Sequence, residues 1–295
     1  MKCIFPDIMQ HSRNTLVVIG NGFDLASGIE SSYSNFKEWL QKNGNHRLID
    51  LMDTFFSNQR DVWGNIEKAL GEYNENNILE YCKPDDDFDC DHPTRSMAAV
   101  EDSPDWIFRP ILDEFLVEFK NWVDSININN TEKILDLPIE CKYFTFNYTE
   151  TLESVYAIPE SNVLHIHGSR LSYKEYIIGH NHYRDPKGLY NDECQMLYMQ
   201  EAKSKIIEGM NGLIKNTTAI IHHNQNFFNR LSDIEQVVVY GYSFSEVDLP
   251  YMEEIVKNIG ISKPWAIFYH APEDLMRIKS FENKVGVKNV RTFEW

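Results

Sequence analysis

The most restrictive feature of this sequence is a set of short apolar, β-branched or aromatic runs that each stop at a small or polar residue. Leu16–Ile19 stops at Gly20, Tyr143–Phe146 at Asn147, Val163–Ile166 at His167 and Val237–Tyr240 at Gly241. Ala266–Tyr269 and Val290–Phe293 are runs of the same kind. Runs this short, without the strict alternation of a half-exposed strand, read as strands of a sheet covered on both faces. Between them the spacing turns helical: Phe36, Trp39 and Leu40 share a face, and Ile66–Leu70, Trp106–Ile126 and roughly Gln195–Leu231 follow. The alternation predicts an α/β fold, Rossmann-like, with a mostly parallel central sheet flanked by helices. A helical insertion after the first βα unit, roughly residues 40–135, is expected within one domain spanning 1–295. Tyr176–Ile178 reads as a further strand, and Lys83–Thr94 (KPDDDFDCDHPT) as a surface loop.

Charge and cysteines narrow the class of partner. A formal net charge of −17 repels phosphate backbones at long range, and no Lys/Arg run builds a compensating groove, so nucleic acid is not an expected partner. A small anion held by backbone N–H groups remains compatible with that charge, because the attraction is local. The five cysteines, Cys3, Cys82, Cys90, Cys141 and Cys194, form no CxxC pair and follow no secretory signal, since MKCIFPDIMQHSR is short and polar. Free thiols in a reducing compartment, hence the cytoplasm, are expected, and no run is long enough to predict a membrane span. Asp85, Asp86, Asp87, Asp89 and Asp91 lack the Gly and terminal Glu of an EF-hand loop and read as solvated.

In parallel sheets ligands sit beyond the carboxyl ends of the strands, so the residues just after each run carry the functional expectations. Gly20-Asn21-Gly22-Phe23-Asp24 would let a ligand approach the backbone at the start of a helix, although a tight turn without a ligand uses the same glycines. Asn147 suits a ribose hydroxyl or a water, and equally a helix cap, a role Thr149 could also take. His165 and His167 fall on one face of an ideal strand. His165 reads as a packed strand histidine. His167, next to Gly168, reads as a general base beside a ligand. Ser243 and Asp248, after Gly241, line a pocket or cap a helix. His180 and His182 add two further imidazoles, but no HExxH or similar spacing supports a metal, and none is expected. Trp63 with Glu67, and Phe108, Phe115 and Phe119, read as core packing.

Ile19–Phe36 (IGNGFDLASGIESSYSNF), Phe146–Tyr156 (FNYTETLESVY), His165–Ser169 (HIHGS), Ile177–His180 (IIGH) and Gly241–Tyr251 (GYSFSEVDLPY) together resemble the AbiH family of phage abortive-infection proteins. A more distant resemblance is to the sirtuin-like NAD-binding fold of bacterial defence NADases. That second resemblance implies Asn147 as the catalytic asparagine and His167 as the catalytic histidine, facing each other over the first glycine turn. It further implies Gly20, Gly22, Asp24, Gly241 and Ser243 as nucleotide-holding residues, and Asn21, Gly168 and Asp248, in the same turns, join them as expected cofactor-binding residues. Thr149 stands where that pattern has Asp, GNGFD replaces a small-residue turn, and the paired cysteines of a zinc module are missing, which argues against a deacylase.

The resemblances imply an anti-phage abortive-infection protein that hydrolyses NAD to nicotinamide and ADP-ribose. NAD would be its substrate or ligand, with no other cofactor. A homo-oligomer or a phage-protein trigger would be its further partner. Three other readings compete: a nucleotide sensor that binds NAD or ADP-ribose without turnover, a metal-dependent nuclease built on His165, His167, His180, His182 and Asp185, and an interaction scaffold.

Overall fold

A computed structural model describes residues 14–56, 61–84, 89–129, 131–172, 175–191 and 196–295. Cys3, Cys194, Gln195, the polar amino-terminal stretch and Asp85, Asp86 and Asp87 lie outside the described residues. The chain divides into two compact units, one running to Ser32 and then over Val123–Ile177 and Asn216–Trp295, the other over Tyr33–Trp122 and Ile178–Lys215.

The first unit holds a six-stranded sheet: β1 (Thr15–Ile19), β2 (Lys142–Thr145), β3 (Val163–His165), β4 (Gln236–Tyr240), β5 (Pro264–Tyr269) and β6 (Asn289–Glu294). Its spatial order is β3-β2-β1-β4-β5-β6 and every pairing is parallel. This is the doubly wound order, which reverses direction between β1 and β4. The helices follow from it: α1 (Asn21–Ala26) after β1, α2 (Thr151–Ser154) after β2, α3 (Thr217–His223) and α4 (Gln225–Asn229) before β4, α5 (Leu249–Ile259) after β4, and α6 (Pro272–Val285) after β5. β1 is buried throughout because both of its faces are covered. Leu16 and Val18 join Phe144, Val237, Val239, Tyr251 and Ile255 on one side. Val17 and Ile19 join Phe23, Tyr143, Leu152 and Tyr240 on the other.

Tyr176–Ile178 is not a strand. Its ladder amounts to Ile177 N–H donating to the His167 carbonyl at 2.9 Å, one contact that cannot propagate a sheet.

The second unit is helical. Its aromatic core centres on Phe36, whose ring lies 5.1–6.1 Å from those of Trp63, Phe115, Phe119 and Trp122. Trp63, Phe108, Phe115 and Phe119 are all buried, as core residues should be. The helical part starts nearer Tyr33 than residue 40, and a second stretch, Ile178–Lys215, completes it. The reason is the amphipathic helix Leu197–Asn211, which buries Ala202, Ile206, Ile207 and Met210 and brings Gly209 close to Phe108 and Leu112. Beyond it the expected long helical region breaks at Gly212, and Asn216 caps α3 by accepting from Ala219 N–H at 3.0 Å.

Candidate functional site

All strands being parallel, the segments after β1, β2, β3 and β4 meet at one edge of the sheet in the first unit. The turn after β1 packs glycine against glycine on the turn after β4. Gly20 N–H donates to the Tyr240 carbonyl at 3.0 Å, and Gly22 N–H to the Gly241 carbonyl at 2.9 Å. A Cβ on Gly20 would lie 2.5 Å from the Gly241 oxygen, and one on Gly22 would lie 2.7 Å from the Gly241 Cα. The glycines expected to admit a phosphate therefore admit each other, and the Gly22 N–H is spent on a protein carbonyl. Asn21 closes the same loop: its amide donates to the Ser31 carbonyl at 2.9 Å and its oxygen accepts from the Ser31 hydroxyl at 2.7 Å.

Asn147 and His167 do not face each other over this turn. They belong to two polar clusters, one towards each face of the sheet. The first cluster gathers Asp24, Asn147, Thr149, Thr151, His165 and Glu153. Asp24, beside the core residue Phe23, is fully buried. The Thr149 hydroxyl donates to its carboxylate, and the Thr151 hydroxyl donates to Thr149 at 3.1 Å. Thr149 thus binds the Asp24 carboxylate instead of capping α2. Burial pushes the Asp24 carboxyl from 3.8 up to about 6, against the lowering effect of hydrogen bonds from Thr149, Thr151 and Asn147 and of the nearby His165. His165, the residue read as packing, joins two acceptors: Nδ1 meets the Asn147 carbonyl at 2.8 Å and Nε2 meets Glu153 Oε1 at 2.9 Å. This cluster ties the β2 turn to β3.

The raised pKa of Asp24 has a measurable consequence. The folded carboxyl keeps its proton to higher pH than the unfolded one, so the fold binds more protons between about pH 4 and pH 6. Stability contributed by the neutral acid is complete below that window and falls as pH rises through it, by up to about 3 kcal/mol. Asp24→Asn keeps the shape and cannot ionise, so its urea-unfolding stability is expected to lack this decline. An identical pH slope in wild type and variant would remove Asp24 as its source.

The second cluster surrounds His167, which is 3% exposed. Its ring packs edge-on to Phe146 and Tyr251, with centroids 5.5 and 5.6 Å away, and Tyr148 lies 6.4 Å off. Its Nε2 stands 3.3 Å from Asp248 Oδ1. Asp248 occupies the cap position of α5 but its side chain makes no capping bond. It turns to the imidazole, so the reading of Asp248 as a cap does not hold. The turn that aims it passes through Phe244 at φ 54, a left-handed conformation held by the rings of Tyr242 and Phe281 at 4.8 and 5.0 Å. His167 follows β3 and Asp248 follows β4, so the pair reaches over the ends of β2 and β1, the edge at which doubly wound sheets hold ligands. Gly168, at φ 91, makes the turn after His167, and Ser243 is exposed.

His180 and His182 belong to the second unit, where His180 Nε2 meets the Met210 carbonyl at 2.9 Å and its Nδ1 accepts from the His182 N–H at 3.2 Å. Among the described residues no group of three or more His, Cys, Asp or Glu is placed to hold a metal ion. Also among them, no helix is long and apolar enough to cross a membrane. Residue reading missed Glu150 and Arg170, each a little beyond the end of its strand and joined by paired bonds of 2.6 and 2.7 Å. The mirrored placement of an acid and a base after neighbouring runs was the available signal.

A family model described as bacteriophage abortive infection AbiH matches residues 16–269. No curated protein and no solved structure matches the chain.

Proposed function

The chain belongs to the bacteriophage abortive infection AbiH family, and from that premise we propose that it acts in abortive infection by hydrolysing NAD. The observation that carries the reading is the His167–Asp248 pair lying across the carboxyl edge of a doubly wound sheet. In the proposed mechanism Nε2 carries the proton that faces Asp248, 3.3 Å away, and Nδ1 is the atom that accepts one. The pyridinium of NAD departs as neutral nicotinamide and needs no acid. Water attacks ribose C1′ as that bond breaks, its proton passes to His167 Nδ1, and ADP-ribose remains. Asp248 is the positioning residue, holding the ring in one tautomer and stabilising its cation once formed. Asn147 acts through Asp24, which it helps to hold, and not as the partner of His167.

The test is nicotinamide release from NAD by purified protein, with and without lysate from phage-infected cells as a source of trigger. Asp248→Asn is expected to lower kcat at least tenfold with little change in KM, because it disturbs the orientation of the base and not the binding of substrate. Wild-type protein that stays inactive even with lysate would overturn the hydrolytic reading. A specific observation favours a second one: the Gly22 N–H is spent on Gly241 and His167 is buried. On this reading the same edge senses NAD without turning it over, and calorimetry showing binding with no nicotinamide formed selects it.

A further inference from the structure

The helical unit leaves one face of its longest helical run in water. From Pro93 the chain passes through an α-helix (Pro93–Ser103), a π turn (Pro104–Phe108) and a second α-helix (Arg109–Ser125) without leaving helical geometry. The π turn lies where Pro110, which has no N–H, joins the helix, and Arg109 N–H closes its wider ring on the Pro104 carbonyl. That widening keeps Asp102, Trp106 and Pro110, each four apart, in one row with Asp113 and Val117, and all five are exposed. All five belong to the helical unit. Phe108, Ile111, Leu112 and Phe115 fill the opposite, buried side. Trp106 is 78% exposed and Val117 55%, and Leu116 adjoins them at 36%. An indole this bare contributes little to its own fold, yet tryptophan is among the residues that most often anchor a protein interface.

Charge selects what can cover this face. Asp102 and Asp105 share Lys205, Asp105 also holds Arg109, and Glu114 holds Arg47. Among the described residues Glu101, Asp113 and Glu118 form no ion pair, so acid is in excess along the row. A second copy of the chain would bring the same excess and a net charge of −17, and is repelled. Nucleic acid and an anionic membrane surface are repelled for the same reason. What fits is apolar along one side and cationic along its edges. Its apolar side chains would meet Trp106, Leu116 and Val117, its Lys or Arg would meet Asp113 and Glu118, and one cation would lie over the Trp106 indole.

We propose that the row from Asp102 to Val117 is a docking face for a basic amphipathic helix of a partner protein, with Trp106 as its anchor. This face shares no residue with the His167 edge, so it stands whether or not NAD is the substrate.

Fluorescence anisotropy on the full chain tests this with three labelled synthetic probes: a Leu/Lys amphipathic helix, its Leu/Glu counterpart and an oligolysine of equal length. Wild type is expected to bind the Leu/Lys helix at least tenfold more tightly than oligolysine, which has charge but no apolar side, and to leave the Leu/Glu helix unbound. Trp106→Ser is expected to weaken Leu/Lys binding at least tenfold with an unchanged melting temperature, as the loss of a hot-spot indole does. Asp113→Lys is expected to weaken it several-fold and to flatten its salt dependence. Met276→Ser removes a similarly bare side chain, 72% exposed, from the sheet unit and is expected to change nothing. No binding to wild type, equal binding by Trp106→Ser, an equal loss in Met276→Ser, or tight binding of the Leu/Glu helix each overturns the assignment. So does a wild-type dimer in sedimentation that Trp106→Ser makes monomeric, because a second copy would then cover the face. Flotation with phosphatidylglycerol vesicles that Trp106→Ser abolishes overturns it in favour of lipid.

Discussion

Replacing His167 by alanine is expected to slow nicotinamide release by roughly 10²- to 10⁴-fold, the usual contribution of a positioned general base. The ring stands at the carboxyl edge with an orienting carboxylate, Asp248 Oδ1, at 3.3 Å. Alanine also leaves a void between Phe146 and Tyr251, which pack on the imidazole, so lost activity could reflect lost packing. His167→Gln separates the two effects. It keeps most of the volume and a donor for Asp248 but has no basic nitrogen, so its melting temperature is expected to stay near wild type while its kcat falls as far as that of the alanine variant. A glutamine variant that retains wild-type kcat would show that His167 holds the edge together without touching the chemistry.

Gly241→Ala is expected to destabilise the fold by about 2–5 kcal/mol, a large share of the 5–15 kcal/mol typical of a domain. Gly241 sits at φ 66, and a Cβ there would lie 2.3 Å from the Phe23 nitrogen and 2.6 Å from the Gly22 carbonyl carbon. Those neighbours are backbone and cannot swing away. Relief requires parting the turns after β1 and β4, which breaks the Gly20–Tyr240 and Gly22–Gly241 hydrogen bonds. Gly28→Ala is the control. It has a similar φ of 79 but open space around its Cβ, so only the conformational cost of about 1–2 kcal/mol applies. Urea unfolding of both variants measures the difference, and equal losses would mean that the interlocked turns contribute nothing beyond backbone preference.

The sheet was largely legible because each strand announces itself locally. Val17, Val18 and Val238 are buried on either face of the sheet, so their runs had to be apolar throughout, and parallel pairing follows from burial on both faces. Tyr176–Ile178 misled for the same reason, since an apolar run records burial and not hydrogen bonding. The stretch Ile178–Lys215 could not be assigned to the helical unit, because its partners Phe108 and Leu112 are distant in sequence.

The candidate site divides in the same way. Chain order and residue type alone placed Asp24, Asn147, His167 and Asp248 after strands of one parallel sheet, and so at one edge. Which of them meet was decided by tertiary structure. Chain that leaves a strand keeps alternating between the two faces, so Phe146 and Asn147 part company. Asn147 goes to Asp24, and His167 goes to Phe146 and then to Asp248. The glycines illustrate the same limit. Sequence marks a backbone that must come close to something, and only the packed turns reveal that the something is Gly241.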